Sequence, residues 1–393
     1  MKRQPITTFF VCKTPKLKPK LQTPITKTFE FFEFLHLICQ ENINLLIKLW
    51  LVGNKEMRNL MQKYLKGLND ENFYYTMCIV YKHKSKIPNI NKNQKVMLLK
   101  IFTNIEYLRF SFDRKINFVK FAKHIPNSVK ILHLCSHEIK NSEIKLLPKT
   151  LTYLKINAKK LVNPIDLPRD LTNLSLYNCQ NLTIDFLNNL PYKITTLKFY
   201  HLTIVNFELK LLVNLVSLDL NHGQIKTFVL ENCLDLKTLD LHKNELIEFP
   251  QSILKLTNLE SLNLRWNKLS QIPKEFSQLE NLKYLDLCEN KLIEFPTAIF
   301  MLLKLKTLGL NENQITKIFI LDSKLENLKK LDLSGNFIIE IHLQLPKLKI
   351  LNLNLNNIID LNLQTPTLKE LHIVNNDNVV YNIPLPKLTK VYN

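Results

Sequence analysis

Histidines and cysteines are the residues of this sequence that could hold a metal ion or attack a substrate. The 393 residues include ten histidines and seven cysteines. The cysteines are scattered, odd in number and without a C-x-x-C pair, which argues against a zinc site and a disulfide framework. The sequence contains no H-E-x-x-H, G-x-S-x-G or P-loop motif. We therefore predict that the chain is not an enzyme and that it needs no cofactor or metal.

Three histidines could nevertheless meet in space. His201, His222 and His242 follow one another at similar intervals, so stacking of successive chain segments would place them side by side. Acidic or thiolate partners at ligand spacing are missing around them, and a zinc site needs such ligands. The prediction of no metal therefore stands for this cluster as well.

A second set of residues suits binding rather than catalysis. Tyrosine, tryptophan and arginine contribute most of the binding energy at protein interfaces. Such residues, together with two histidines, recur about twenty residues apart, in or next to the segments in which apolar and polar residues alternate: Tyr177, Tyr200, His222, His242, Arg265, Trp266 and Tyr284. We predict that these seven residues form a partner-binding patch. The alternative is that they are ordinary solvated positions, because single exposed aromatic residues are common.

The segments that would position these residues are repeats. One pattern, L-x-x-L-x-L-x-x-N-x-L/I, occurs six times at steps of 23, 23, 23, 23 and 20 residues. The copies are LKTLDLHKNEL from Leu236, LESLNLRWNKL from Leu259, LKYLDLCENKL from Leu282, LKTLGLNENQI from Leu305, LKKLDLSGNFI from Leu328 and LKILNLNLNNI from Leu348. Repetition at this period is the signature of a solenoid.

Each repeat predicts one strand and one inward turn. Alternation places Leu262 and Leu264 on one face of a strand, and Ser261, Asn263 and Arg265 on the other. The asparagine that follows can bond peptide groups of neighbouring coils and so satisfy a buried turn. The predicted asparagine ladder comprises Asn244, Asn267, Asn290, Asn313, Asn336, Asn356 and Asn376.

The strand pattern extends well upstream of these six copies. It is recognisable from about Ile105 at steps of 20 to 24 residues, which gives about 14 units in residues 105–393. Stacked at the usual strand spacing of about 4.8 Å, they predict a sheet roughly 60–65 Å long. The middle outward residues are basic in the early units and acidic in the later ones. The asparagine is missing from the early units, where Asp113, His137, Lys159, Cys179, Leu202 and Gly223 take its place.

These repeats closely resemble the leucine-rich repeat family. The resemblance implies an α/β solenoid, the leucine-rich-repeat horseshoe, with a parallel concave β-sheet that binds a protein partner. It also implies a protein-protein interaction scaffold rather than an enzyme. LPKTLTYLKI and LPRDLTNLSL among the early units additionally resemble FNIP-type repeats. A further alternative is suggested by the 23-residue I/F-P units, which would suit a docking subunit for a phosphatase or small GTPase.

Residues 29–104 have a helical pattern instead. Apolar residues recur there at three- and four-residue intervals, which indicates two or three amphipathic helices and a small α-helical N-terminal region. The segment LLIKLWLVGNKEMRNLMQKYL resembles the second half of an F-box, although the usual Leu-Pro opening is replaced by Phe34-Leu35-His36. The resemblance implies a substrate receptor that holds a ubiquitin-ligase adaptor of the cullin type. A helical cap over the first repeat explains the same residues.

Residues 1–28 have the composition of a disordered basic tail. Four prolines lie there among lysines and threonines, with too little apolar surface to bury. Ile6, Phe9 and Phe10 resemble the clamp-binding box of proteins that dock on the replication sliding clamp. The family's glutamine would fall at Arg3, whereas the glutamine here lies one residue later.

The net charge of +20 is unevenly distributed. Residues 1–104 hold 18 Lys/Arg and 6 Asp/Glu, leaving 36 (54 − 18) and 28 (34 − 6) for the rest. The excess favours polyanion contact by the basic N-terminus, or it reflects plain composition. The apolar stretch in residues 29–52 is interrupted by charges, so we predict no membrane span. With the unpaired cysteines, this predicts an intracellular protein, cytoplasmic or nuclear.

Overall fold

The computed structural model describes residues 107–111, 122–161, 166–178, 182–321, 325–376, 380–381 and 390–392. The predictions for the tail (residues 1–28) and for the cap or F-box-like region (residues 29–104) therefore lie outside the described residues. The boundaries proposed between them and the repeats stay predictions.

The described chain consists mainly of short strands. The first ten are β1 (Tyr107–Ser111), β2 (Ile131–Ile139), β3 (Tyr153–Leu161), β4 (Asn173–Tyr177), β5 (Thr196–Tyr200), β6 (Asn206–Leu209), β7 (Ser217–Asp219), β8 (Thr227–Leu230), β9 (Thr238–Asp240) and β10 (Ser261–Asn263). The second ten are β11 (Tyr284–Asp286), β12 (Thr307–Gly309), β13 (Lys317–Ile320), β14 (Lys330–Asp332), β15 (Glu340–Gln344), β16 (Ile350–Asn352), β17 (Asp360–Gln364), β18 (Glu370–His372), β19 (Val380–Tyr381) and β20 (Lys390–Tyr392).

One strand from every repeat enters a single parallel sheet. It has fourteen strands in the order β1-β2-β3-β4-β5-β7-β9-β10-β11-β12-β14-β16-β18-β20. The register aligns equivalent residues of successive coils, for example Leu239, Leu262 and Leu285. These leucines are buried, as alternation predicts. The predicted parallel-sheet solenoid is confirmed, and we call this sheet the long sheet and its exposed side the open face.

The asparagine ladder is also confirmed. The amide nitrogen of Asn290 donates to the carbonyl oxygens of Leu264 and Leu287, each at 3.0 Å, and its oxygen accepts from the backbone N–H of Leu269 at 3.0 Å. All seven predicted asparagines donate to the preceding coil in this way. All except Asn376 are buried. Each side chain thus satisfies backbone groups that would otherwise be buried without partners.

The ladder begins where a glycine makes room for it. Gly223 occupies the asparagine position of the coil before Asn244, and a Cβ added there would lie 2.5 Å from the Asn244 side-chain oxygen. That oxygen accepts from the backbone N–H of Ile225 at 3.1 Å. Because a side chain at residue 223 would displace this bond, the glycine is what lets the first asparagine reach the coil before it.

The side of the solenoid opposite the long sheet differs between repeats. Three 23-residue repeats have 3-10 helices there, at Gln251–Lys255, Lys274–Gln278 and Thr297–Met301, each directly after a proline. The next 23-residue repeat, which contains β13, and the repeats of 20 or 21 residues have strands instead, which form the sheets β6-β8 and β13-β15-β17-β19. The only α-helices in the described ranges are α1 (Asn141–Ile144) and α2 (Ile184–Asn188). The solenoid therefore contains much less helix than the name α/β suggests.

An unpredicted feature follows the strands of the long sheet. In ten successive coils, from β4 to β18, one residue there has a left-handed backbone with φ between 53° and 64°. The residues are Asn178, His201, His222, Lys243, Trp266, Glu289, Glu312, Gly335, Leu355 and Asn375. This conformation turns the chain sharply into the coil at the position before each ladder asparagine, and it is unfavourable for residues with a Cβ. Its repetition means that the turn, not the side chain, determines the conformation here.

This conformation predicts an unusual effect of glycine. Leu355→Gly should raise the free energy of unfolding by roughly 1 kcal/mol, because glycine adopts the left-handed conformation without steric cost. Leu303→Gly is the matched control, since Leu303 is about as exposed (49% against 52%) but has a negative φ. It should instead lower the stability by about 0.5–1 kcal/mol. Urea unfolding followed by circular dichroism measures both, and equal losses in the two variants would contradict the argument.

Candidate functional site

The predicted binding residues lie at the end of the long-sheet strands where the left-handed turn begins. Parallel register brings equivalent positions of neighbouring coils side by side, as for Tyr177 of β4 and Tyr200 of β5. Six of the seven predicted residues follow this edge of the open face over five successive coils: Tyr177, Tyr200, His222, His242, Arg265 and Trp266. We call these six residues, with His201 and Lys243 between them, the rim row.

Two tyrosines begin the rim row. The rings of Tyr177 and Tyr200 stack with centroids 4.2 Å apart and planes 12° from parallel. The Tyr200 hydroxyl donates to an Asp219 carboxylate oxygen at 2.8 Å. Burial and this carboxylate both raise the pKa of the Tyr200 phenol, so it remains a protonated donor at neutral pH. The Lys155 ammonium lies 4.4 Å from the centre of the Tyr177 ring, a cation-π contact.

The three histidines do meet, as the repeat spacing predicts. His201 and His222 have ring centroids 5.5 Å apart, and His222 and His242 have theirs 4.8 Å apart, both edge to face. Burial lowers the pKa of His222, and Lys243 and the other two histidines lower it further. His222 is therefore uncharged at neutral pH. No group of three or more His, Cys, Asp or Glu residues within the described ranges is arranged to hold a metal ion.

Arginine and tryptophan end the rim row. Arg265 pairs with Glu289 of the next coil, with 3.1 Å between its Nε and a carboxylate oxygen, and this contact raises the pKa of the guanidinium. Trp266 is 41% exposed, and the Lys243 ammonium lies 4.8 Å from its ring centre. Both side chains are therefore held in place while part of each remains available to a partner.

Tyr284 is the predicted residue that the structure separates from the others. It lies at the opposite end of its strand, in register with Ser261 and Thr307, and is 49% exposed. Tyr284 and Arg265 nevertheless both line a depression of about 520 Å³ on the open face, which surrounds Gly309. A Cβ added to Gly309 would lie 2.6 Å from the Cys288 sulfur, so the depression depends on this glycine.

The acidic middle positions have a structural role that the sequence analysis missed. An Oδ1 of Asp240 accepts from the backbone N–H of His242 at 2.9 Å, and Asp286 does the same for Cys288 at 3.0 Å. The same contact to the residue two positions on recurs in six coils, at Asp219, Asp240, Asn263, Asp286, Asp332 and Asn352. These side chains stabilise the start of the turn. Aspartate and asparagine at this position therefore have a structural role that needs no ligand.

The buried thiols do not resemble nucleophiles. Burial raises the pKa of Cys233 to about 11, and burial together with Asp286 raises that of Cys288 even more. A nucleophilic cysteine needs the opposite shift, because the thiolate is the reactive form. Neither cysteine is suited to covalent catalysis.

Other predicted contacts fall elsewhere in the chain. The clamp-binding candidates Ile6, Phe9 and Phe10 lie outside the described residues, as do the region resembling an F-box and the basic N-terminus. None of the helices in the described part of the chain has the length and apolar character that a membrane crossing needs.

Comparisons with known proteins agree with the repeats. Residues 234–292 match the family profile "Leucine rich repeat", and residues 303–344 match "Leucine Rich repeats (2 copies)". YopM from Yersinia enterocolitica is a similar solved structure, with 19% identity, 82% of this chain and 77% of that chain covered, and a TM-score of 0.53. A leucine-rich-repeat protein from Leptospira interrogans is 23% identical, with coverage of 80% and 97% and a TM-score of 0.49. No curated protein matches the sequence.

Proposed function

We propose, from its identity as a leucine-rich-repeat protein, that this chain is a protein-protein interaction scaffold whose partner binds along the rim row of the open face. The fold is typical of interaction scaffolds, and proteins of this kind are generally not enzymes. The observation that carries the proposal is the continuous row of tyrosine, histidine, arginine and tryptophan side chains over five coils. Within these five coils the other positions of the open face hold mainly short polar side chains.

The contacts within the row support binding energetically. Ordering flexible side chains at an interface costs free energy, and groups already fixed in the free protein avoid that cost. Tyr177 and Tyr200 are held by stacking, Trp266 by Lys243 and Arg265 by Glu289. Tryptophan, tyrosine and arginine are also the residues most often found as binding hot spots.

The two more specific functions predicted from the sequence would use different parts of the chain. A substrate receptor of a cullin-type ubiquitin ligase would use residues 29–104 for the adaptor and the repeats for the substrate. Docking of a phosphatase or small GTPase would use the repeats alone. Both remain predictions, and a binding scaffold is the element common to all three.

The proposal predicts that substitutions in the rim row weaken binding of the partner. Trp266→Ala and Arg265→Ala should each weaken the complex by about 2 kcal/mol, or roughly thirtyfold, the size typical of a hot-spot residue. The partner is first captured from native lysate on the tagged full-length chain, identified by mass spectrometry, and then titrated as a purified protein.

The control is another exposed aromatic residue. Phe319 is 47% exposed on β13, away from the long sheet, so Phe319→Ala should leave the affinity unchanged. Circular dichroism establishes that all variants are folded. A partner that binds Phe319→Ala weakly but Trp266→Ala and Arg265→Ala normally would place the interface on the other side and contradict the proposal.

A further inference from the structure

Two lysines flank the three histidines of the rim row. Lys155 lies in the middle column of the strands, in register with Ser175, and its ammonium reaches the row at the Tyr177 ring. Lys155 and Lys243 each lie over an aromatic ring, and within the described ranges neither ammonium has a carboxylate within 4.0 Å. Between these two lysines lie the three imidazoles of His201, His222 and His242. This stretch of the surface therefore presents two ammonium groups and a cluster of three imidazoles.

The nearby carboxylates are engaged within the protein. Asp219 accepts from the Tyr200 hydroxyl at 2.8 Å and lies 3.8 Å from the Lys198 ammonium. Asp240 accepts from the backbone N–H of His242 at 2.9 Å and from the Asn263 amide at 3.2 Å. Asp240 also lies 3.8 Å from the His242 Nδ1. Both carboxylates lie in the middle column of the strands, to which Lys155 also belongs, whereas Lys243 and the three imidazoles lie at the edge.

We propose that the stretch from Lys155 to Lys243 binds an acidic segment of the protein partner, and that acidification strengthens this contact through His222, at the centre of the histidine cluster. The proposal rests on the function proposed above and specifies the chemistry of the partner. The anionic groups are carboxylate or phosphate side chains, which are complementary to the lysines and imidazoles.

The size of the stretch fits a short peptide. Lys155 belongs to β3 and Lys243 follows β9, and the long sheet places β4, β5 and β7 between them. Four steps of about 4.8 Å give a span of roughly 19 Å. An extended peptide rises about 3.3 Å per residue, so about six residues cover it. Two or three acidic side chains on one side of such a segment would face the histidines.

The charge pattern favours a peptide over a nucleic acid. Asp219 and Asp240 lie in the column next to the row, and Asp286 continues that column. The closely spaced phosphates of a nucleic acid strand would pass near these carboxylates and be repelled. A peptide can place single acidic side chains on the edge and keep neutral residues over the aspartates.

The direction of the pH effect follows from the groups around His222. Burial, Lys243, His242 and His201 disfavour its protonated form, whereas Asp219 favours it. An anion bound among these groups would offset the neighbouring positive charges and raise the pKa of His222. The complex then binds more protons than the free protein, so affinity increases as the pH falls from above 6.5 to below the pKa of the free histidine.

The test uses fluorescein-labelled decapeptides and the full-length chain. Five Gly-Glu repeats, five Gly-phosphoserine repeats and five Gly-Lys repeats are titrated by anisotropy at pH 5.5 and 7.5, together with a thymidine decanucleotide. The Gly-Glu peptide should bind about tenfold more tightly at pH 5.5, the effect of a pKa difference of one between free and bound protein. Phosphoserine itself gains protons between pH 7.5 and 5.5 and so loses negative charge. The affinity of the Gly-phosphoserine peptide should therefore increase less on acidification than that of the Gly-Glu peptide.

Variants separate this stretch from the rest of the chain. His201→Gln/His222→Gln/His242→Gln should abolish the pH dependence, and Lys155→Gln/Lys243→Gln should weaken binding about fivefold at both pH values. His124→Gln/His342→Gln removes two histidines elsewhere and should change neither. Because all variants share the basic residues 1–104, binding of the peptide there cancels in the comparison.

Two results would overturn the proposal. One is pH dependence that survives in the triple histidine variant. The other is a decanucleotide that binds as tightly as the Gly-Glu peptide and loses affinity in the same variants. If Trp266→Ala still weakens binding of the purified partner in either case, the proposed scaffold function stands, and only the proposal that the partner's bound segment is acidic is wrong.

Discussion

Aspartate in place of Asn356 is expected to lower the free energy of unfolding by about 3–5 kcal/mol, the cost of an uncompensated buried charge. The Asn356 amide donates to the carbonyl oxygens of Leu333 and Leu353, each at 3.0 Å, and its oxygen accepts from the Ile338 N–H at 3.1 Å. Aspartate has nearly the same shape but replaces the donor with a second acceptor. Two carbonyl oxygens would then face a buried carboxylate oxygen.

The adjacent residue provides the control. Asn357 is exposed, and Asn357→Asp makes the same chemical change one position away, so its stability should stay within about 0.5 kcal/mol of the wild type. Urea unfolding at pH 7 measures both variants. Lowering the pH should restore part of the stability of Asn356→Asp, because a protonated carboxyl can donate to one carbonyl. Equal stability of the two variants would mean that the ladder does not support the fold.

Alanine in place of Phe276 is expected to cost about 3–5 kcal/mol. Phe276 belongs to the 3-10 helix Lys274–Gln278 and is fully buried, and its ring packs edge to face on that of Phe249 in the preceding coil, with 5.5 Å between the ring centroids. Removal of the ring loses its burial and leaves a cavity that neighbouring coils fill only partly. Since each coil is stabilised mainly by its neighbours, the loss weakens two interfaces at once.

Phe319→Ala is again the matched comparison. The same ring is lost there, but Phe319 is half exposed and touches mainly the His342 ring at 5.2 Å, so a loss of less than about 1.5 kcal/mol is expected. Thermal unfolding followed by circular dichroism ranks the two variants. Should Phe319→Ala prove the more damaging, the core would lie nearer the β13 sheet than the leucine pattern indicates.

The long sheet and the asparagine ladder could be predicted because the leucine spacing and the asparagine position recur in many repeats. If the strand pairing were shifted by one residue, Leu262 and Leu264 would both become exposed, and so would the equivalent leucines of every other repeat. The ladder needs one residue type at one position, and its bonds join backbone groups whose location the strand fixes. Side-chain detail matters little to either prediction.

The rim row was only partly predictable, because it depends on contacts between coils. Tyr284 and Arg265 lie on the same face, but the aligned repeats already place them at the third and seventh positions of their copies, at opposite ends of the strand. The place of Lys243 and His201 at the edge could not be predicted, since the left-handed turn that brings them there has no signature in residue type: histidine, lysine, tryptophan and leucine all adopt it. The role of Asp240 was missed because a bond to the residue two positions on leaves the repeat pattern unchanged.

The change of structure on the side opposite the long sheet has a mechanical consequence. Where strands form sheets on both sides, as at β15 and β17, two sets of backbone hydrogen bonds resist bending. The 3-10 helices between Gln251 and Met301 make no such ladder, so their coils are joined by hydrogen-bonded strands on one side only. These coils therefore resist bending less than the coils with sheets on both sides. Arg265, Trp266 and Tyr284 lie in them, so the surface proposed to bind a partner can change its curvature more easily than the section from β13 to β19.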